Sequence, residues 1–231
     1  MTTPATTLVT YETVGPCARI RMDDGKVNAM SPAMLTALHD AFDRAAAEGS
    51  IAVLSGRDSL FSAGFDLKVF SGAAPAEGAA MVRLGAQLVL KLLTFPMPVI
   101  TVTAGHAYPM GAFLMLSADW RIGASGAWRT GFNEVRINMT IPEFALAVGR
   151  MRLQPAYFNR TAMLGEMYGP EEARVAGFVD ELVPPADLET AVEAAVKRME
   201  GIIPVNHAAT KLRARAPTIA AVRAALEPAA F

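Results

Sequence analysis

Three segments of this chain bring together residue types that can hold or move charge. The first is Gly56–Lys68, Gly-Arg-Asp-Ser-Leu-Phe-Ser-Ala-Gly-Phe-Asp-Leu-Lys. It follows a short apolar run, and its Ala63-Gly64 pair lets the backbone come close to a ligand. The second lies within Pro98–Asp119 and centres on Gly105-His106-Ala107-Tyr108-Pro109-Met110-Gly111-Ala112-Phe113. There an apolar run passes through small residues into an apolar helix. The unpaired N–H groups of such a helix start form an anion site without any charged side chain. The third is Phe132-Asn133-Glu134-Val135. A carboxylate among apolar neighbours is expected to hold its proton more tightly than usual, which suits proton transfer. Glu143 is a further candidate acid, although its place after Pro142 at a helix start also suits the helix dipole. His106, beside the second turn, is read as structural.

The elements that position these segments follow from periodicity. Leu8–Thr13 and Cys17–Met22 alternate like strands, with Val14-Gly15-Pro16 as the turn between them. Ser31 then reads as an N-cap with Pro32 at the first helical position. Met34, Leu35, Leu38, Phe42 and Ala45 carry helical spacing to Glu48. Ile51–Leu54, Val99–Thr103 and Trp120–Gly123 fit buried strands, and Glu77–Leu93 fits a helix. Gly111–Ser117 is apolar on every side and predicts a fully buried helix. Strands alternating with helices imply mostly parallel pairing. From about residue 141 the pattern changes. Pro142–Arg152, Pro155–Leu164, Pro170–Ala176, Pro185–Gly201 and Val205–Arg215 all read as helical. The expected organisation is an α/β core over 1–140 carrying the site, then a helical region over 141–231 that serves oligomerisation.

Composition excludes several classes. The 231 residues are 52% apolar and 19% charged, with net charge −1 and no basic stripe to hold nucleic acid. Mean hydropathy is +0.30, so part of the apolar surface is expected between subunits. The single cysteine, Cys17, permits no disulfide within the chain, and His39, His106 and His207 are too scattered for a zinc cluster. No metal site is expected. Met1–Thr7 carries no signal-peptide pattern and no apolar stretch reaches membrane-span length, so a cytoplasmic protein is expected.

Taken together, the segments resemble the crotonase (enoyl-CoA hydratase/isomerase) family. The similarity runs through Phe-Ser-Ala-Gly-x-Asp-Leu-Lys, Pro-x-Pro-Val-Ile, Gly-His-Ala, the small-residue turn and Asp-x-Arg-Ile. It continues through Phe132–Val135, Ile141-Pro142 and Pro170–Asp180, and so covers nearly the whole chain. The resemblance implies the crotonase-like (ClpP/crotonase) fold, a spiral of ββα units with a helical C-terminal region. It implies an acyl-CoA substrate whose thioester carbonyl is polarised by two backbone N–H groups, those of Phe65 and Met110. Preorganised donors of this kind are worth about 3 kcal/mol each in transition-state stabilisation. Ala63, Gly64, Lys68, Gly111 and Phe113 are the implied substrate-binding positions, with Lys68 near the CoA phosphates. Coenzyme A is then part of the substrate and no separate cofactor is implied. A homotrimer, or a hexamer built as a dimer of trimers, is the implied assembly.

The chain also departs from the family pattern. Hydratases of this family usually carry two glutamates; here one position holds Phe113 and the other holds Glu134. Adding water needs both activation of the water and protonation of carbon, whereas moving a double bond needs one base. The activity implied is therefore enoyl-CoA hydration or isomerisation, with Glu134 as acid/base. A non-catalytic acyl-CoA binder or another thioester reaction on the same scaffold stands as the alternative. Asn138 occupies a position where relatives often have Gly, and Asn tolerates the left-handed backbone that such a turn needs. Many family members are longer, with a C-terminal helix that covers the acyl site, whereas this sequence stops at Phe231 and shorter closing helices are expected.

Overall fold

The computed structural model describes residues 7–70 and 75–227. The expectation about a signal peptide, and the end of the chain at Phe231, fall largely outside them. The first half of the chain runs β1 (Val9–Val14), β2 (Cys17–Met22), α1 (Pro32–Ala47), β3 (Ile51–Ser55) and β4 (Leu60–Ser62). There follow α2 (Leu67–Phe70), α3 (Pro75–Leu93), β5 (Val99–Thr103), β6 (His106–Ala107), α4 (Pro109–Ser117) and β7 (Trp120–Ala124). The second half runs β8 (Thr130–Gly131), α5 (Glu143–Arg152), α6 (Pro155–Leu164), β9 (Met167–Tyr168), α7 (Pro170–Ala176) and β10 (Glu181–Val183). It closes with α8 (Leu188–Met199), α9 (Pro204–Ala214) and α10 (Ala216–Ala224).

The large sheet has the order β1-β2-β3-β5-β7-β10. Only the β1–β2 hairpin is antiparallel. A parallel sheet needs both faces covered, which is why β3 and β5 read as unbroken apolar runs. One face meets α8, whose Ala191, Val192, Ala195 and Val196 pack with Ile51, Val53, Ile100 and Ile122. The main core lies on the other face, under α1, α3 and α4. Ser31 Oγ caps α1 by accepting from the Met34 N–H at 3.2 Å, as its sequence position predicts.

The second sheet positions the chemistry. It has four short strands in the order β4-β6-β8-β9, and β4, β6 and β8 run parallel. β4 and β6 lie within the first two segments singled out above, and β8 leads directly into the third. Strands of two or three residues leave no periodic trace, so none was legible in the sequence. Two strands also lie in the region expected to be wholly helical. β9 pairs with β8 and β10 with β7, so the second half of the chain is built into both sheets. The expected helix at Pro185 begins as a 3₁₀ turn over Pro185–Asp187 before α8.

β4 and β6 come together only because Gly105 has no side chain. A Cβ at Gly105 would lie 1.8 Å from the Ser59 carbonyl carbon and 2.0 Å from the Leu60 nitrogen. Both are backbone atoms, so no rotamer change relieves the clash. Gly105→Ala is expected to cost more than about 4 kcal/mol. The expected readout is a loss of soluble protein, or a drop in the thermal midpoint of more than about 10 °C.

Candidate active site

The exit of β4 is held by the loop after β2. Asn28 is fully buried with φ +47, and its Nδ2 donates to the carbonyls of Met22 (3.0 Å) and Phe61 (3.2 Å). Asp24 accepts the N–H groups of Lys26, Asn28 and Ala29, which fixes this turn. The Ala63 N–H then donates to Val27 O, and Met30 N–H donates to Gly64 O at 2.8 Å. Ser62 Oγ donates to Asn28 O and accepts the Gly64 N–H. Gly64 has φ +91, a conformation that side-chain-bearing residues rarely adopt. The next N–H along is that of Phe65.

The start of α4 is tied to the same place. Tyr108 N–H donates to Ser62 O at 2.9 Å. Pro109 takes the first helical position and Met110 the second, where an N–H has no intrahelical partner. A Cβ at Gly64 would lie 3.7 Å from the Met110 nitrogen, so the two Gly-containing segments meet here. Two further glycines allow this approach. A Cβ at Gly111 would come within 2.9 Å of Ser62 Cβ, and one at Gly85 on α3 within 2.7 Å of the Phe65 ring.

A cavity of about 150 Å³ opens at this junction. The three segments contribute Ala63, Gly64 and Phe65, then Tyr108 and Pro109, then Asn133 and Glu134. The rest of the wall is apolar: Leu67, Phe70, Val82, Ile137, Met139 and Pro142. Glu134 is the only carboxylate among the lining residues. It opens a 3₁₀ turn over Glu134–Arg136 directly after β8 and is 5% exposed. Burial pushes its carboxyl up to about 7, opposed only in part by its own backbone N–H. Glu134 Oε2 has no hydrogen-bond partner among the described residues.

Several expected site residues fall elsewhere. Phe113 lies outside the cavity wall, in an aromatic cluster with Phe132 (centroids 4.9 Å apart) and Phe144 (5.9 Å). One turn into a helix buried on every side, it faces core rather than cavity. Gly111 also lies off the wall and serves the packing of α4 against β4. Met110 is fully buried and lies off the cavity wall, with the end of its side chain beside Gly85 on α3. Lys68 stands on α2 outside the wall, its N–H bonded to Asp66 Oδ1. Glu143 is an exposed partner of Arg150 at 2.9 Å, on the first turn of α5. His106 Nδ1 accepts the Arg129 N–H at 3.0 Å and its ring stacks on Tyr108. Asn138 has φ +59, so the turn between Ile137 and Met139 takes the left-handed backbone expected of it.

The sequence reading missed Leu67, Phe70, Val82, Tyr108, Asn133, Ile137 and Met139 as lining residues. One signal did point to α3: a glycine in mid-helix, Gly85, where only a close neighbour justifies the cost.

Comparison with known proteins agrees with this geometry. The family model described as enoyl-CoA hydratase/isomerase matches residues 12–227. The chain belongs to the enoyl-CoA hydratase/isomerase family. The crystal structure of a family member from Pseudomonas syringae is 36% identical, with a TM-score of 0.92 over 95% of both chains. A Mycobacterium tuberculosis protein, described in one structure as an enoyl-CoA isomerase and in another as a probable enoyl-CoA hydratase, EchA3, is 38% identical in the first, with a TM-score of 0.91 over 96% of this chain and 97% of that one. Among curated proteins, enoyl-CoA delta isomerase 2 of Arabidopsis thaliana is 33% identical over 57% of this chain and 58% of its own length. A probable enoyl-CoA hydratase of Mycobacterium tuberculosis, EchA17, is 26% identical over 63% of this chain and 56% of its own. The matched part thus spans just over half the length of these curated relatives. Among the described residues no helix is long and apolar enough to cross a membrane.

A carboxyl raised from 4.5 to about 7 binds its proton more tightly in the folded than in the unfolded state. Its contribution to stability is complete below about pH 4.5 and is lost as pH rises through 7. The loss amounts to at most about 3 kcal/mol. Glu134→Gln, which cannot ionise, is therefore expected to raise the thermal midpoint at pH 8.5 by roughly 5 °C. At pH 4.5 it should leave the midpoint unchanged. Paired melting curves at the two pH values test this.

Proposed function

We propose that this chain is an enoyl-CoA isomerase. It moves the double bond of a 3-enoyl-CoA into conjugation with the thioester. The Glu134 carboxylate takes a proton from C2, and the electron pair moves onto the thioester oxygen to give a dienolate. The N–H groups of Phe65 and Met110 hold that oxygen as its charge develops. The protonated Glu134 then returns the same proton at C4, and a 2-enoyl-CoA is formed. One base serves both steps, and no metal or redox cofactor is called for because backbone donors carry the charge.

The observation that carries this reading is the single carboxylate. Glu134 is the one carboxylate in the wall, whose other polar side chains are those of Tyr108 and Asn133, and position 113 is occupied by an aromatic ring in the core. Hydration is easier with a second carboxylate to share the water and the proton, whereas one base suffices to move the double bond. Assembly as a trimer, or as a hexamer of two trimers, belongs to the same proposal. Ile203, Val205 and Leu212, exposed on and before α9, are the surface offered for it.

The test follows absorbance of the conjugated thioester with purified protein. A 3-enoyl-CoA should gain conjugation and crotonyl-CoA should stay unchanged. Glu134→Gln should lower the rate by about 10³-fold. Loss of conjugation from crotonyl-CoA, absent in that variant, would instead mark a one-carboxylate hydratase. Binding of acyl-CoA with no signal from either substrate would leave a binding protein. In the wild type, kcat/KM should rise tenfold per pH unit below about 7 and level off above it, because only the ionised carboxylate accepts a proton. Gly64→Ala strains the φ +91 backbone beside the Met110 nitrogen and should cost about 100-fold in kcat.

A further inference from the structure

Asn133 stands at the N-cap position of the 3₁₀ turn that carries Glu134, with φ −105 and ψ 9. Asparagine is a preferred cap because its side-chain oxygen can accept an N–H group of the first turn. Here the side chain makes no cap bond. The Arg136 N–H goes instead to the main-chain carbonyl of Asn133 at 2.9 Å. The side-chain Oδ1 is buried and has no partner among the described residues. A buried amide oxygen without a donor is a cost to the fold, so its placement calls for a reason.

The next residue supplies a second acceptor in the same condition. Glu134 Oε2 is also buried and unpartnered, and both side chains line the same cavity. The side chains of the wall offer these two oxygens no donor. Tyr108 is the one other polar side chain there, and its hydroxyl lies 3.4 Å from His106 Nδ1. Tyr108 is also the one other titratable group in the wall. Charged groups on the neighbouring elements are engaged elsewhere. Arg136 donates to Gly165 O, Arg160 at the end of α6 pairs with Glu166, and Arg150 on α5 pairs with Glu143. While Glu134 is ionised, both oxygens remain acceptors with nothing to accept. A proton on Oε2 changes this, because one O–H group then satisfies both atoms.

Resting on the isomerase reading, we propose that Asn133 is a positioning residue whose Oδ1 accepts the O–H of protonated Glu134 and so holds the acid in place between its two tasks. Asn133 touches no reacting atom and acts through Glu134. It serves the intermediate state, when Glu134 has taken the proton from C2 and has not yet returned it at C4. A hydrogen bond to the neutral form favours that form, so Asn133 adds to what burial does to this carboxyl. The missing cap is thereby explained: a side chain that capped the turn would not be available to the acid.

The experiment follows the protonation of Glu134 directly. Infrared spectra of the substrate-free protein track, against pH, the carboxylic-acid band that Glu134→Gln lacks. Asn133→Leu should lower the midpoint of that band by about one pH unit, a tenfold loss of proton affinity. The sign is decisive, because an apolar side chain acting through burial alone would raise the midpoint. An unchanged midpoint would therefore overturn the proposal. So would a rise, which would mean that burial dominates or that the amide N–H groups face the carboxylate. Asn133→Asp keeps an acceptor oxygen and adds charge, and should raise the midpoint by about one unit or more. A midpoint unmoved in that variant overturns the proposal even if Asn133→Leu does not fold. With a 3-enoyl-CoA, the pH at which kcat/KM levels off should fall in Asn133→Leu together with the infrared midpoint, while KM stays within about twofold. A KM raised about tenfold with an unmoved pH profile would make Asn133 a substrate contact instead and overturn the positioning role. Failure of the isomerase reading looks different: conjugation would appear at no pH, while the infrared midpoints would still separate.

Discussion

Everything at the site depends on three short parallel strands lying side by side. β4, β6 and β8 are two or three residues long and contribute little buried area of their own. Their importance is alignment. Ser62 of β4 pairs with Ala107 of β6 across a bulge, and Ala107 pairs with Thr130 of β8, so the segments that follow emerge together. Ala63–Phe65, Tyr108-Pro109 and Asn133-Glu134 lie far apart in the chain, yet they meet around one small cavity. The approach is close enough that Gly105 and Gly111 must lack side chains. The turn at Gly64, the start of α4 and a buried acid are thereby fixed by backbone hydrogen bonds rather than by long side chains.

The electrostatics follow from the same packing. Glu134 is charged only at a cost, because its wall supplies no cation and its Oε2 no partner. That cost brings its proton affinity close to neutral, where a group gives and takes protons with equal ease. The structure is thus least stable with Glu134 ionised, the form that begins the proposed reaction. Stability given up at a functional carboxylate is the usual trade between folding and activity.

Much of this was legible in the sequence, and the illegible parts share a cause. The long strands, α1 with its Ser31 cap and the apolar α4 carry clear periodicity, and all fall close to where periodicity puts them. Asn138 betrayed its left-handed turn by residue type. The small sheet did not show, since two residues have no period. Phe113 was placed in the acyl pocket because it follows the second Gly segment, but helix rotation carries it to the core side. The apolar half of the cavity wall stayed hidden for another reason. Leu67, Val82 and Ile137 come from three elements whose meeting is a tertiary event, with no local pattern to announce it.

The far end of α4 is also fixed. Arg152 Nε donates to Leu116 O at 3.2 Å, and Arg215 donates to Ser117 O (3.1 Å) and Ala118 O (3.2 Å). Arg215 and Lys211 both close on Asp119, which itself accepts the Val99 N–H. Cations at a helix C-terminus complement its dipole. Here they also set a mechanical tolerance. A nine-residue helix is about 13 Å long, so a tilt of roughly 4° about its anchored end moves its tip by about 1 Å. Misplacement on that scale costs a positioned group about two orders of magnitude in rate. The helices α5, α9 and α10, which supply none of the acids or donors, thus act as the clamp of a strut. Wear in the clamp would be read at the tip, where the proposed Met110 donor lies.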